Sequence, residues 1–212
     1  MQKTLNTYKE ILKDKAFLGS IFVSVLIFFV SLVINYFAGM YATEKASNPV
    51  TDIILSNVRV FDVDTILVYT LNIFWLFLIF LFIYRPRKVP FILKSLALLI
   101  IIRALFINMT HIGVFTTHIP IDTTGIASYF TFTGDLFFSN HTGIPFLMCL
   151  IFWQQKTLRY IFLGASIFFG TLVLLGHLHY TIDVFSAFFI TYTIYHLASK
   201  FFKKDKALFF IV

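Results

Sequence analysis

A chain of 212 residues that is 59% hydrophobic and only 13% charged lacks the polar surface of a soluble domain, and it is too apolar for a disordered or fibrous protein. Aromatic residues make up 19% of it, including 29 Phe, so most of the apolar surface must face lipid or a core assembled within lipid. The net charge of +7, from 17 Lys and Arg against 10 Asp and Glu, would suit nucleic acid in a soluble chain, but its placement here marks sidedness instead, and no nucleic-acid partner is expected.

A bilayer core about 30 Å thick takes roughly 20 apolar residues as helix, because lipid offers no partner to a bare peptide group. With that ruler the chain reads as all-α, a polytopic membrane bundle of six transmembrane helices. The spans lie near Phe17–Tyr36, Ile66–Ile83, Phe91–Met109, Thr142–Trp153, Leu158–Gly176 and Tyr180–Phe202. The fourth is short, so either it begins deeper than its neighbours or the segment from Gly134 to His141 dips in to meet it. Cys149 lies in this run, and as the single cysteine it excludes an intrachain disulfide. The organisation expected is a cytoplasmic arm over 1–16, one membrane domain over 17–202 and a tail over 203–212.

Lys and Arg of short loops stay on the cytoplasmic side. Lys3, Lys9, Lys13 and Lys15, then Arg85, Arg87 and Lys88, then Lys156 and Arg159, then Lys200, Lys203, Lys204 and Lys206 all fall at alternate connections. Both termini are therefore expected inside. The other connections hold Lys45 and Arg59 against Glu44, Asp52, Asp62, Asp64, Asp122 and Asp135, and face outward. The first apolar run follows an arm of about 16 residues, spans fully and lacks a small-residue cleavage site, so it reads as a retained anchor.

Ionisable groups at membrane depth cost several kcal/mol unless paired or hydrated, which makes each one a candidate for function. His179 and Asp183 stand four residues apart at the outer start of the sixth span, on one helix face with Cβ atoms about 5–6 Å apart. An imidazole that donates one nitrogen to a carboxylate is fixed in one tautomer and made more basic, as a nucleophile or base requires. His177 sits on another face, and His196 reads as a packing residue deep in the span. His141, after Ser139 and Asn140, opens the fourth span, where free amides favour anions. Arg103, near the outer end of the third, calls for an anionic partner. Two histidines, a carboxylate, an arginine and a helix start at one outward depth describe a phosphate site. One imidazole would attack phosphorus and the other protonate the leaving oxygen.

Two segments carry a resemblance. Gly134-Asp135-x-x-x-Ser139-Asn140-His141-Thr142 is similar to the Cys-Gly-Asp-x-x-x-Ser-Gly-His-Thr motif of sphingomyelin synthases, and His179-Tyr180-Thr181-x-Asp183-Val184 with Tyr195-His196 resembles their His-Tyr-Thr-x-Asp-Val motif. Both fall within the wider type 2 phosphatidic acid phosphatase superfamily. Arg103 with Thr110 and His118, and Pro49 with Asp52, are similar to upstream elements of the same branch. The resemblance implies His179 as a nucleophile forming a phospho-histidine, Asp183 as its orienting partner and His141 as acid to the leaving group. It implies Arg103, Ser139, Asn140 and Asp135 as binding residues, a phospholipid or sphingolipid substrate in the outer leaflet, and neither metal nor cofactor.

The departures are Asn140 where the family has Gly, which Asn can replace in a turn needing positive φ, and Thr133 where it has Cys. The Ser-Arg pair of the superfamily is absent, with Leu172 and Val173 at that interval. Whether water or a lipid alcohol resolves the phospho-enzyme stays open at this point. An intramembrane serine protease using Ser139, a histidine-rich di-iron enzyme and a non-catalytic relative are the alternatives; the presence of Asp183 a turn from His179, the small number of histidines and the full set of reactive positions count against each in turn.

Overall fold

A computed structural model describes residues 8, 10–119 and 132–208, and all elements among them are helical. Lys3, Lys9 and Asp122 of the charge pattern lie outside the described residues. In chain order the helices are α1 (Lys15–Lys45), α2 (Asp64–Tyr84), a 3-10 turn over Pro86–Lys88, α3 (Val89–Ile107), α4 (Asn140–Ile151), α5 (Lys156–Leu175), α6 (Thr181–Phe201) and α7 (Lys203–Leu208).

Each begins where local chemistry allows. The Asp14 carboxylate caps α1 by accepting from the amides of Ala16 and Phe17, which satisfies two donors with no intrahelical partner. Pro86 opens the turn before α3, and Pro90 lies in its first turn, where a missing N–H costs nothing. Tyr180 and Asp183 form a reciprocal capping arrangement at α6.

Among the described residues four segments are long and apolar enough to cross a bilayer: Lys15–Lys45, Asp64–Tyr84, Pro86–Ile107 and Lys156–Leu175. These mark an integral membrane protein. The remaining two expected spans differ for separate reasons. α4 has 12 residues, too few to cross alone, and the 132–139 segment before it is held on α3 by Arg103. α6 has 21 residues but is diluted by Thr, Tyr, Ser, His and Asp, which lowers its mean hydropathy below that of a free-standing span.

The helices alternate in direction, so the bundle has two ends. At one, Arg87 pairs with Glu10 at 2.6 Å, the Arg85 guanidinium donates to Gln155, and Lys94 reaches Asp205 at 2.7 Å. At the other, Ser47 donates to the His111 carbonyl at 2.8 Å, Phe61 to that of Leu175 at 2.9 Å, and Ser139 to that of Asp183 at 3.0 Å.

The core lies among α3, α4, α5 and α6, with Phe74 of α2 edge-on to Phe162 and Phe169. α5 crosses closely because Gly170 has no side chain: a Cβ there would stand 3.1 Å from both Thr142 Oγ1 and Val184 Cγ1. α1 and α2 turn Phe22, Phe29, Phe37, Ile73, Leu76 and Phe80 outward, an apolar exterior that belongs in lipid.

Lys94 is buried within α3, and its amine also donates to Ser20 of α1 at 3.1 Å, while Ser20 bonds Asp205. This triad fastens α7 to two helices. Losing one partner of a buried pair costs about 3–5 kcal/mol, whereas replacing both with apolar groups is often neutral. Lys94→Met should therefore lower the thermal unfolding temperature of the purified protein markedly, and Lys94→Met/Asp205→Leu should recover most of the loss; a double variant no more stable than the single would contradict the coupling.

Candidate active site

The starts of α4 and α6 meet at one end of the bundle. Asp183, in the first turn of α6, accepts from His179 Nδ1 at 3.2 Å and from the Tyr180 amide at 3.0 Å through the same oxygen, Oδ2. The carboxylate thus lies on the imidazole, though not across one helix face as expected: His179 precedes the N-cap Tyr180, and the capping turn brings the two together and leaves Nε2 to the cavity. Asp183 is also the residue whose carbonyl accepts from Ser139, the N-cap of α4. The two histidine-bearing segments are joined by one residue.

His141, one residue into α4, faces His179 with ring centroids 5.9 Å apart and planes at 61°. Its Nδ1 is buried and has no hydrogen-bond partner, as are Ser139 Oγ and Asn140 Oδ1. Ser139 makes no side-chain cap, so the first amides of α4 are without a side-chain acceptor. Ser139 Oγ makes no bond to His179, so a serine–histidine pair is not assembled.

Arg103 of α3 is 2% exposed. Its Nε donates to the Phe138 carbonyl at 3.0 Å, and one terminal nitrogen donates to the Asp135 carbonyl at 2.6 Å and its carboxylate at 3.0 Å. The guanidinium therefore holds the 132–139 segment in place and its partner is Asp135. The Asp135 carboxylate is half-buried there and its charge is met by Arg103. Arg103 still lines the cavity, with its second terminal nitrogen uncommitted. Gly134 is required at the start of this segment, since a Cβ would sit 2.5 Å from Thr43 Cα and 2.8 Å from the Ala42 carbonyl of α1.

Asn140 is the first residue of α4, and among the described residues only His177 combines a side chain with positive φ, at 52°. The Gly-to-Asn departure thus needs no left-handed backbone. Its cost falls on the space and polarity beside His141.

His177 is structural. It is buried in a conformation that non-glycine residues adopt rarely, shares a 2.5 Å hydrogen bond with Thr117, and accepts from His118 through its carbonyl at 3.3 Å. His196 is exposed and packs on Tyr192, away from the site. His118 lines the cavity with the other two histidines; burial holds its imidazole below the usual value, against the raising effect of the His177 carbonyl.

The cavity, about 510 Å³, extends from His141, His179 and Arg103 between the apolar residues of α1 and α2, including Phe28, Leu32, Leu71 and Trp75, with Asn35 and Asn72 on that wall. Its shape joins a polar apex to an apolar trough, which fits a phosphate carried on an acyl chain. Among the described residues no group of three or more His, Cys, Asp or Glu is arranged to hold a metal ion.

Asp52 was legible only as part of a weak upstream likeness, and the structure gives it a defined task. It accepts from the Thr181 amide at 2.8 Å and hydroxyl at 2.6 Å, and from the amides of Ile54 and Leu55. The connection after α1 therefore caps α6. Tyr180 adds a second tie, donating to the Gly113 carbonyl at 2.8 Å and accepting from the Val50 amide at 3.2 Å.

Burial by itself would raise the Asp52 carboxyl, but the hydrogen bonds from Thr181, Leu55 and Ile54 outweigh it and hold the group below its ordinary 3.8. A depressed carboxyl contributes stability that is complete above 3.8 and is lost as pH falls through the folded-state value. Asp52→Asn should be less stable than the parent at neutral pH, and the gap should close below about pH 3.8; a gap constant with pH in thermal unfolding would contradict this cap.

Residues 133–200, which hold both histidines and Asp183, match the family model described as PAP2 superfamily C-terminal. Searches of curated proteins and of solved structures returned no match. The family match supports the type 2 phosphatidic acid phosphatase superfamily, whose enzymes are typically phosphatases and phosphotransferases, and so suggests activity of the lipid phosphatase type.

Proposed function

We propose that the protein is a sphingomyelin synthase-like lipid phosphotransferase or phosphohydrolase. It acts on the phosphate-linked head group of a phospholipid or sphingolipid through a phospho-histidine, without a metal. The single observation that carries this reading is the pairing of a carboxylate-held imidazole, His179, with a second imidazole, His141, across a cavity that continues into an apolar trough. The sequence likeness of both segments to the synthase motifs supports the branch.

In this mechanism the His179 Nε2 lone pair attacks phosphorus while the bond to the leaving oxygen breaks. That oxygen takes its proton from His141. The positive charge forming on His179 is met by Asp183. Arg103 and the first amides of α4 offset charge on the equatorial oxygens. Water or a lipid alcohol then attacks phosphorus, passes its proton to His141, and the N–P bond breaks to restore His179. Asn140, which lines the cavity, and its neighbour Ser139 are the further phosphate-binding residues in this mechanism; Asp135 acts through Arg103.

The wider placement belongs to the same proposal. All six long or apolar helices cross the bilayer as one domain over 17–202, α4 and α6 being carried by their neighbours. The Lys- and Arg-rich end lies in the cytoplasm with both termini, and the histidines open to the outer leaflet.

His179→Ala should abolish head-group release from labelled phospholipid in membranes, and His141→Ala should lower it about 10²–10⁴-fold. A substrate whose leaving group needs no proton should rescue His141→Ala but not His179→Ala, and acid-labile phosphate should be trapped on His179. Chelators should leave the rate unchanged. Head-group release that survives His179→Ala would end the proposal.

A further inference from the structure

Two polar side chains stand in the apolar trough that continues from the histidines, and the reaction leaves both unused. They are Asn35 of α1 and Asn72 of α2. An amide facing hydrocarbon without a partner is costly, so an asparagine in a membrane helix is usually spent on a bond to a neighbouring helix. Here it is not: Asn35 Oδ1 is buried without a hydrogen-bond partner, so it takes nothing from Asn72. The two helices touch only sparsely, α1 packing instead on α3, and the space between them is the trough.

Depth orders the groups along it. Ala38 and Ala104 belong to one packed cluster, so Asn35, a turn before Ala38, lies about one turn, roughly 5 Å, deeper than Arg103. Asn72 lies about 12 Å along α2 from its start at Asp64, at a rise of roughly 1.5 Å per residue. Phe28, Leu32 and Asn35 share one face of α1, and Val68, Asn72 and Trp75 share one face of α2. Moving away from the histidines, the cavity therefore offers a cation and helix-start amides, then two side-chain amides, then aliphatic and aromatic groups. A phospholipid carries its own groups in that order: phosphate, the carbonyls of the acyl linkages, then the chains.

We propose that Asn35 and Asn72 hold the acyl linkage of the substrate lipid, each donating an Nδ2 proton to a carbonyl oxygen of an ester or amide. They determine specificity rather than rate of bond cleavage, and the inference rests on the reading above only in placing the phosphate at the histidines. A lipid with ether-linked chains reaches the same apex and fills the same trough, but it leaves both amides unpaired. A site built to hydrogen-bond a group rejects the analogue that lacks it.

The test uses the full chain in nanodiscs of ether-linked phosphatidylcholine, doped equally with diacyl phosphatidic acid and its dialkyl ether analogue. Mass spectrometry reads both the dephosphorylated products and the lipid retained by the protein. The unaltered chain should favour the diacyl form about tenfold, as two hydrogen bonds of ordinary strength provide. Asn35→Leu/Asn72→Leu should erase that preference without lowering the unfolding temperature, since it removes unpartnered polar groups from an apolar wall. Leu71→Ala trims the same wall and spares the amides, so it should weaken retention of both lipids and preserve their ratio. An N-acylated sphingoid phosphate, added as a third lipid, separates amide from ester: whichever linkage is preferred over the ether form, the preference should vanish in the double variant. Equal retention of all three lipids by the unaltered chain, a preference that survives the double variant, or a ratio collapsed as far by Leu71→Ala would each overturn the proposal. Absence of product from every lipid would count against the phospho-histidine reading alone, because the retained lipid still decides the role of the asparagines.

Discussion

The bond from the Asp183 carboxylate to the His179 imidazole holds this end of the molecule together, because Asp183 serves three neighbours at once. Oδ2 accepts from His179 Nδ1 and from the Tyr180 amide, and the residue's own carbonyl accepts from Ser139. One residue thereby orients the imidazole, caps the helix on which it stands, and fixes the start of the helix that carries His141. A carboxylate this deep would be expensive alone. It persists because it is hydrogen-bonded, and the same bonds fix the orientation of the imidazole.

Around that junction the bundle is built in two shells. α3, α4, α5 and α6 supply the close-packed part, with Gly170 allowing a tight crossing, and they position every reactive side chain. α1 and α2 form the outer wall. They bury little of their apolar surface against the rest and turn aromatic and aliphatic side chains outward, a cost that lipid removes. The cavity runs from the close-packed helices toward α1 and α2, so its polar apex sits in the core while its apolar walls stand on helices whose outer faces are exposed.

What the sequence revealed followed the range of the interaction. Helix positions came from local hydropathy, and the starts and ends read that way lie within a few residues of those observed, apart from the longer α1. The His179–Asp183 pair was legible because its members are only four residues apart, although the turn that caps α6 brings them together rather than the helix itself, His179 lying before the N-cap Tyr180. Arg103 was recognised as needing an anion, yet Asp135 was not identified as that anion, since nothing local links residues 32 apart. Lys94 went unnoticed inside an apolar run because its partner, Asp205, is 111 residues away. Asp52 and Tyr180 were invisible as caps for the same reason. The loop-to-helix ties that shape the site are long-range hydrogen bonds, and no periodicity encodes them.

Charge is handled in opposite ways at the two ends. Near the histidines, Arg103 is largely neutralised by Asp135 and two carbonyls, so the pull on an anion comes from one uncommitted nitrogen and from helix-start amides that carry no net charge. At the far end Glu10 and Asp205 each meet a cation and Asp14 caps a helix, while Lys206 is left with neutral partners. The difference arises from which acids the fold brings to which bases.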